Sequence, residues 1–335
     1  MLSLVLKVGL HTFAVADIGF LWKNINSFYT MRIVFMGTPD FAVASLAALV
    51  EAGYEVVGVV TVPDKPAGRG RKLQASAVKQ YAQSKGLPVL QPERLKDLTF
   101  LEALQALKPE VQVVVAFRML PKEVWQLAPT FNLHASLLPK YRGAAPINWA
   151  IIHGEKETGV TTFFIDEQID TGNIIFQDTE PIDDYDTVGT LYERLKHKGA
   201  ALVLRTVQAI EWGRCPSVPQ QGEATQAPKI FRDTCHIDWH RTSAELYNFI
   251  RGLSPYPAAW TTWQGKNLKI YWALRPDQEP YEPKWWQHLQ PGEWATDQKR
   301  FALVRTGDGY LSVKKLQIEG KRPMDIDEFL RGHTL

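Results

Sequence analysis

The chain has 335 residues, 45% of them hydrophobic and 22% charged, and a net charge of +2. Such a length is a prior for two domains with a sizeable core. The near balance of charge excludes nucleic-acid binding through a global field and leaves only a local patch. Two cysteines, Cys215 and Cys235, lack metal-ligand spacing. They give no structural zinc and fit a reducing, cytoplasmic compartment.

Residues 1–30 are mildly apolar but interrupted by Lys7, His11, Asp17 and Lys23. No run reaches the roughly 18 residues of a membrane span, and no clear secretory signal is present. Met31-Arg32-Ile33-Val34-Phe35-Met36-Gly37 then opens abruptly as a buried strand. Met31 is therefore the expected functional start, with 1–30 as translated upstream sequence or a loose tail.

A strand over 33–36, a turn, a helix over 41–52 and a strand over 54–62 are the opening of a doubly wound α/β sheet. Gly37 stands alone rather than in G-x-G-x-x-G, so a nicotinamide cofactor is not supported. Residues 63–73 read as a Pro- and Gly-rich loop. Between Lys65 and Lys79 lie five basic residues (Lys65, Arg69, Arg71, Lys72 and Lys79) and no acidic one. Such a run is either a solvated face or a grip for phosphates, with Arg able to bond in bidentate fashion. Its place after a strand end is where open α/β sheets put ligands.

Helices over 75–85 and 100–108 and strands over 89–90 and 111–117 lead to the central stretch, Phe131-Asn132-Leu133-His134-Ala135-Ser136-Leu137-Leu138-Pro139. Residues 131–134 read as a short buried strand, so Asn132 and His134 share one face. Burying such groups without partners costs about 1–3 kcal/mol each. Either each bonds nearby backbone, or both donate to an oxygen that becomes negative during a reaction. A helix over 147–153 and a strand over 159–165 precede an acidic turn, 166–173, which carries Asp170. A strand over 174–177 and a helix or two within 186–212 complete the first domain.

Residues 213–228 have the Pro, Gly, Gln and Ser content of an interdomain linker. Beyond it come a helix over 244–251 and short strands over 259–263, 268–274, 294–295, 301–306 and 310–317, a pattern expected of a small β-barrel. The tryptophans there could stack bases or simply pack the core.

The central stretch, Asp170 and several flanking motifs together resemble the folate-dependent formyltransferase superfamily. The matching pieces are Gly37-Thr38-Pro39-Asp40-Phe41, Pro63-Asp64-Lys65-Pro66-Ala67-Gly68-Arg69-Gly70, Asn132-Leu133-His134-Ala135-Ser136-Leu137-Leu138-Pro139, Tyr141-Arg142-Gly143-Ala144-Ala145-Pro146, Glu157-Thr158-Gly159-Val160-Thr161 and Ile169-Asp170-Thr171-Gly172. Within that superfamily, residues 31–335 resemble the members that formylate methionine on initiator tRNA. The resemblance implies a Rossmann-like parallel-sheet catalytic domain over 31–212 and, after the linker 213–228, an OB-like barrel over 229–335 that helps hold the tRNA. It implies 10-formyltetrahydrofolate as donor, with Ser136, Leu137, Leu138 and Pro139 against the folate. The residues themselves offer no metal cluster and no membrane span, and the chemistry requires no covalent nucleophile. A monomer is expected. Three departures stand out: residues 116–121 are slightly shortened, with Arg118 in place of a glycine, residues 127–130 are compressed, and 1–30 has no counterpart. Arg118 either reaches the folate's glutamate tail or is a solvated loop cation.

Formyl transfer to an amine builds an oxyanion and releases a proton. Asn132 and His134 are the expected donors to that oxyanion, and Asp170 the expected route for the proton. Alone, Asp170 reads as a turn cap; beside Asn132 and His134 it reads as catalytic. Lys65, Arg69, Arg71 and Lys72 are expected at the acceptor end of the tRNA. Lys314 and Lys315 are expected on phosphates in the second domain. The rivals are a sugar-nucleotide formyltransferase, a purine-biosynthetic formyltransferase (disfavoured by length), a hydrolase of the same folate, and a non-enzymatic RNA-binding protein.

Overall fold

The computed structural model describes residues 30–67, 72–279 and 286–335. The expectation for 1–29 thus lies outside the described residues. The first domain is built on a seven-stranded sheet of β1 (Arg32–Gly37), β2 (Glu55–Val60), β3 (Val89–Leu90), β4 (Val111–Val115), β5 (Thr130–His134), β6 (Glu157–Phe164) and β7 (Ile174–Pro181). Their order is β7-β6-β5-β4-β1-β2-β3. The five strands from β5 to β3 run parallel, while β6 and β7 add antiparallel at one edge. The central strands are apolar on both faces because both faces are covered; Ile33, Val34, Phe35 and Met36 are all fully buried.

One cover is α1 (Asp40–Glu51), which turns Phe41, Ala42, Ser45, Leu46 and Leu49 inward at helical spacing. It packs on α2 (Ala77–Ser84) and on the long helix α5 (Val188–Glu211), with α3 (Leu98–Ala106) and α4 (Pro146–Ile152) between them in the chain. The region 186–212 is thus one helix, started by a reciprocal cap in which Thr187 and Thr190 each bond the other's backbone N–H. Within 63–73 the chain is not all loop, because Lys65–Ala67 and Lys72–Gln74 pair as a hairpin. Strands this short, flanked by Pro and Gly, give no alternation to read.

The second domain is an antiparallel sheet of β8 (Ala259–Trp263), β9 (Lys266–Leu274), β10 (Trp294–Thr296), β11 (Ala302–Arg305), β12 (Tyr310–Ile318) and β13 (Met324–Asp325). In the order β8-β9-β12-β11-β10, with β13 on β12, it forms the half-barrel expected of an OB-like domain. Helices α6 (Ser243–Leu253) and α7 (Ile326–Gly332) contribute to its core. The domains dock through α4 and α6. Ile152 of α4 joins the second core, and Asn148 donates to Gly252 O at 2.8 Å. Arg251, only 3% exposed, donates to the carbonyls of Asp183 and Asp186, both at 3.0 Å. These charge-assisted bonds tie the second domain to the loop before α5 of the first.

No helix among the described residues is long and apolar enough to cross a membrane.

Candidate active site

β5 brings Asn132 and His134 to the C-terminal end of the parallel strands. Asn132 lies between Val114 of β4 and Phe163 of β6, and His134 lies beside Thr161. Both line one cavity of about 650 Å³. Among the described residues nothing hydrogen-bonds the Asn132 carboxamide, so its N–H groups are open to a ligand.

His134 is buried, and its Nε2 lies 2.7 Å from Tyr141 O. A carbonyl can only accept, so this assigns the proton to Nε2. The other nitrogen, Nδ1, faces Asp170 Oδ2 at 3.7 Å, too far for a direct hydrogen bond. Nδ1 is thus the ring atom left for chemistry. Of the two readings of this strand, His134 anchors one nitrogen on backbone and leaves the other free, and Asn132 anchors neither end.

Asp170 sits at φ +56°, in the left-handed region that side chains other than Asn and Asp rarely take. Its Oδ2 accepts from Gly143 N at 2.8 Å. The turn cap is a different carboxylate: Asp166 Oδ1 accepts from Gln168 N at 3.0 Å and from Thr171 Oγ1 at 2.7 Å. With that work done by Asp166, Asp170 is free to face His134. The turn is tight enough that a Cβ on Gly172 would lie 1.6 Å from Phe164 O. Gly143 is at φ +120°, where a Cβ would meet Ala227 O at 2.8 Å, so its amide can reach Asp170 only as glycine.

Val114, Phe117, Leu120, Phe163 and Ile165 give the cavity an apolar wall, with Val114 and Phe163 directly beside Asn132 in the sheet. Pro39, Phe41 and Tyr192 close another side. Tyr192 donates to Asp40 Oδ1 at 2.5 Å and accepts from Phe41 N at 3.0 Å, pinning the start of α1. Burial and the neighbouring Asp40 carboxylate push the Tyr192 phenol well above its ordinary range.

The Ser136, Leu137, Leu138 and Pro139 turn does not line this cavity. Ser136 Oγ donates to Lys140 O at 2.6 Å, and Ser136 O accepts from Thr161 Oγ1 at 2.6 Å. Leu138 N donates to Thr161 Oγ1, and Leu138 O accepts from Gln177 Nε2. These bonds anchor the turn at the end of β5. Arg118 does line the cavity, yet its guanidinium is turned to protein carbonyls: Nη1 donates to Glu93 O at 2.8 Å and Nη2 to Pro92 O. Burial lowers its pKa. It is neither a solvated cation nor an unengaged one, but a clasp between two loops.

The segment read as a linker lies against the site. Gln220 Nε2 donates to Asp170 O and Gly172 O, each at 2.9 Å, and its Oε1 accepts from Arg142 Nη2 at 2.6 Å. Thr225 Oγ1 accepts from Tyr141 N at 2.9 Å. Gln226–Ala227 pairs in parallel with Arg142–Gly143. Sequence reasoning missed these residues because such bonds leave no periodic pattern.

Of the basic candidates, Lys65 and Lys315 are exposed and make no ion pair among the described residues. Lys314 pairs with Glu279 at 2.5 Å and Lys79 with Asp64 at 2.7 Å, so neither is a free cation. Arg69 and Arg71 lie outside the described residues, and Lys72 opens the second strand of the hairpin. A groove of about 700 Å³ between the domains shares Ala144, Ala145 and Asn148 with the cavity and presents Lys229, Phe231, Arg232, Tyr256 and Lys269. Phe231 and Tyr256 are strongly exposed there, which the composition of the region did not signal. Trp260 also lines this groove, whereas Trp263 packs edge-on against Phe329 and Trp272 against Tyr247. Among the described residues, no group of three or more His, Cys, Asp or Glu side chains could hold a metal ion.

The family model described as formyl transferase matches residues 31–207, and that described as formyl transferase, C-terminal domain, matches residues 229–334. A methionyl-tRNA formyltransferase of Parabacteroides distasonis is 55% identical over 316 residues, covering 90% of this chain and 95% of that protein. One of Bacteroides fragilis is 51% identical over 320 residues, covering 91% and 96%. Among solved structures, HypX from Aquifex aeolicus in complex with tetrahydrofolic acid matches with a TM-score of 0.63 at 19% identity. It covers 90% of this chain and 47% of that one, so the chain spans about half that structure's length and shares its fold. The chain belongs to the formyl transferase family and, within it, to the methionyl-tRNA formyltransferases.

Proposed function

We propose that the chain transfers the formyl group of 10-formyltetrahydrofolate to the α-amine of methionine on initiator tRNA. The observation that carries this reading is the convergence of Asn132, His134 and Asp170 on one cavity with an apolar wall. The donor supplies an activated formyl carbon, and the apolar wall suits a flat pteridine. The polar face then does the chemistry. As the amine attacks, the Asn132 carboxamide donates to the carbonyl oxygen on which charge develops. His134 Nδ1, when protonated, is a second donor to the same oxygen. Fixed donors at a developing charge act without reorganisation. The amine nitrogen must lose a proton as the C–N bond forms and the folate nitrogen leaves. Asp170, beside His134 and at the cavity wall, accepts it directly or through a water, and a proton passes to the departing folate nitrogen, which leaves as a neutral amine.

The adjoining groove supports tRNA as the acceptor. Its cations Lys229, Arg232 and Lys269 suit phosphates, and exposed Phe231 and Tyr256 offer faces for unpaired bases. Lys65 and Lys315, with Arg69, Arg71 and Lys72 by motif, extend that basic surface. A sugar nucleotide would not need so long a cationic path. The 55% identical relative named for charged tRNA favours the same acceptor.

The test is formyl transfer from 10-formyltetrahydrofolate, with methionine-charged initiator tRNA, uncharged tRNA and a 4-amino-sugar nucleotide offered in parallel. Transfer to the charged tRNA alone is expected. Transfer to the sugar alone would retain the catalytic assignment and overturn the acceptor. Folate cleavage without any acceptor would make the protein a hydrolase.

A further inference from the structure

We propose that residues 217–228 form a strap that sets the geometry of His134 and Asp170, with Gln220 as its principal positioning residue. The inference rests on the catalytic reading of those two residues given above.

The strap is bonded to each support of the pair. Tyr141 O holds His134 Nε2, and the N–H of the same Tyr141 donates to Thr225 Oγ1. Gly143 N holds Asp170 Oδ2, and Gly143 is paired with Ala227 across the short parallel ladder. Arg142 N donates to Thr225 O at 2.9 Å, and Ala144 N to Ala227 O at 2.8 Å. Gln220 ties the other side. Its two N–H bonds end on the carbonyls of Asp170 and Gly172, and its oxygen takes Arg142. Only one orientation of the amide satisfies both sets, since carbonyls cannot donate and a guanidinium cannot accept.

Two residues near the pair hold left-handed backbone without being glycine: Tyr141 at φ 60° and Asp170 at φ 56°. Such conformations persist only where surrounding bonds over-determine them. Both are bonded directly by the strap, Tyr141 through Thr225 and Asp170 through Gln220. Gln220 does not line the cavity, so it acts through Asp170 and not on substrate.

The experiment measures kcat and both KM values for full-length Gln220→Ala, Gln220→Glu and Asp170→Asn, together with thermal unfolding. Glu keeps an acceptor for Arg142 but loses both donors to the Asp170 and Gly172 carbonyls. If the strap positions the pair, kcat falls roughly 10- to 100-fold in both Gln220 variants while both KM values stay near wild type. Restoration of kcat by Glu would show that only the Arg142 anchor matters and would overturn the proposal. So would a loss confined to KM, or wild-type kcat in either variant. If the Gln220 variants do not fold, Thr225→Val decides, with the same loss of kcat expected and an unchanged kcat contradicting the strap. Wild-type kcat in Asp170→Asn would instead sink the catalytic reading itself, whatever Gln220 does.

Discussion

Around His134 and Asp170 the protein fixes each side chain at one end and leaves the other for chemistry: Nε2 is held on Tyr141 O, Oδ2 on Gly143 N, and the Asp170 carbonyl on Gln220. On the hairpin of Lys65–Ala67 and Lys72–Gln74 the opposite holds, and Lys65 is exposed with no ion pair among the described residues. The two regions are proposed to serve one reaction. A group that meets a charge developing at a single atom must be fixed before the charge appears. A cation that meets a polyanion gains from reach and from displaced counterions and needs no fixed rotamer. The contrast predicts losses of kcat in one region and losses of affinity in the other.

The largest effect belongs to His134→Ala, which removes one proposed donor and should lower turnover roughly 10²–10³-fold. Steady-state kinetics at saturating substrates reads this directly, and a change confined to KM would erase the contrast. Next is Gly172→Ala. Its Cβ would lie 1.6 Å from Phe164 O, so the turn must move and Asp170 with it. Because misplacement by about 1 Å can cost roughly 10²-fold, activity should fall by that order and the melting temperature should drop as well. On the hairpin, Lys65→Ala should raise KM for tRNA, leave kcat alone and lower the slope of log affinity against log salt by about 1. An unchanged slope would remove Lys65 from the phosphate path.

The smallest effect lies in the second domain. Glu245 accepts from Thr242 N and Thr242 Oγ1 and pairs with Arg241, which pulls its carboxyl down to about 2. A carboxylate lowered in the fold stabilises it above its ordinary pKa, and that contribution is lost as pH falls toward the folded value. Glu245→Gln should therefore flatten the acid limb of a melting-temperature profile between about pH 4.5 and 2 without altering formyl transfer.

What could be read from the sequence follows the kind of bond involved. Asn132 and His134 were legible because strand alternation puts two polar groups on one face of an apolar run. Asp170 taken alone read as a turn cap, and the bonds within that turn are made by Asp166. Ser136, Leu137, Leu138 and Pro139 were read against folate by motif, and the motif did not show the bonds they make to Thr161, Lys140 and Gln177. Gln220 and Thr225 were invisible because a strap held by single side chain–backbone bonds has a linker's composition. The same holds for Arg118, whose carbonyl partners at Pro92 and Glu93 lie 25 or more positions away in the chain.

The central claim is that a side chain unbonded in the protein does its work only on the reacting oxygen. Asn132→Ala tests it most directly, since no protein hydrogen bond among the described residues is lost with the carboxamide. The rate of formyl transfer from 10-formyltetrahydrofolate to methionine-charged initiator tRNA, with a melting curve beside it, is the measurement. A rate lowered roughly 10²–10³-fold at an unchanged melting temperature is predicted. A near wild-type rate, or a protein that loses its fold, would contradict the account.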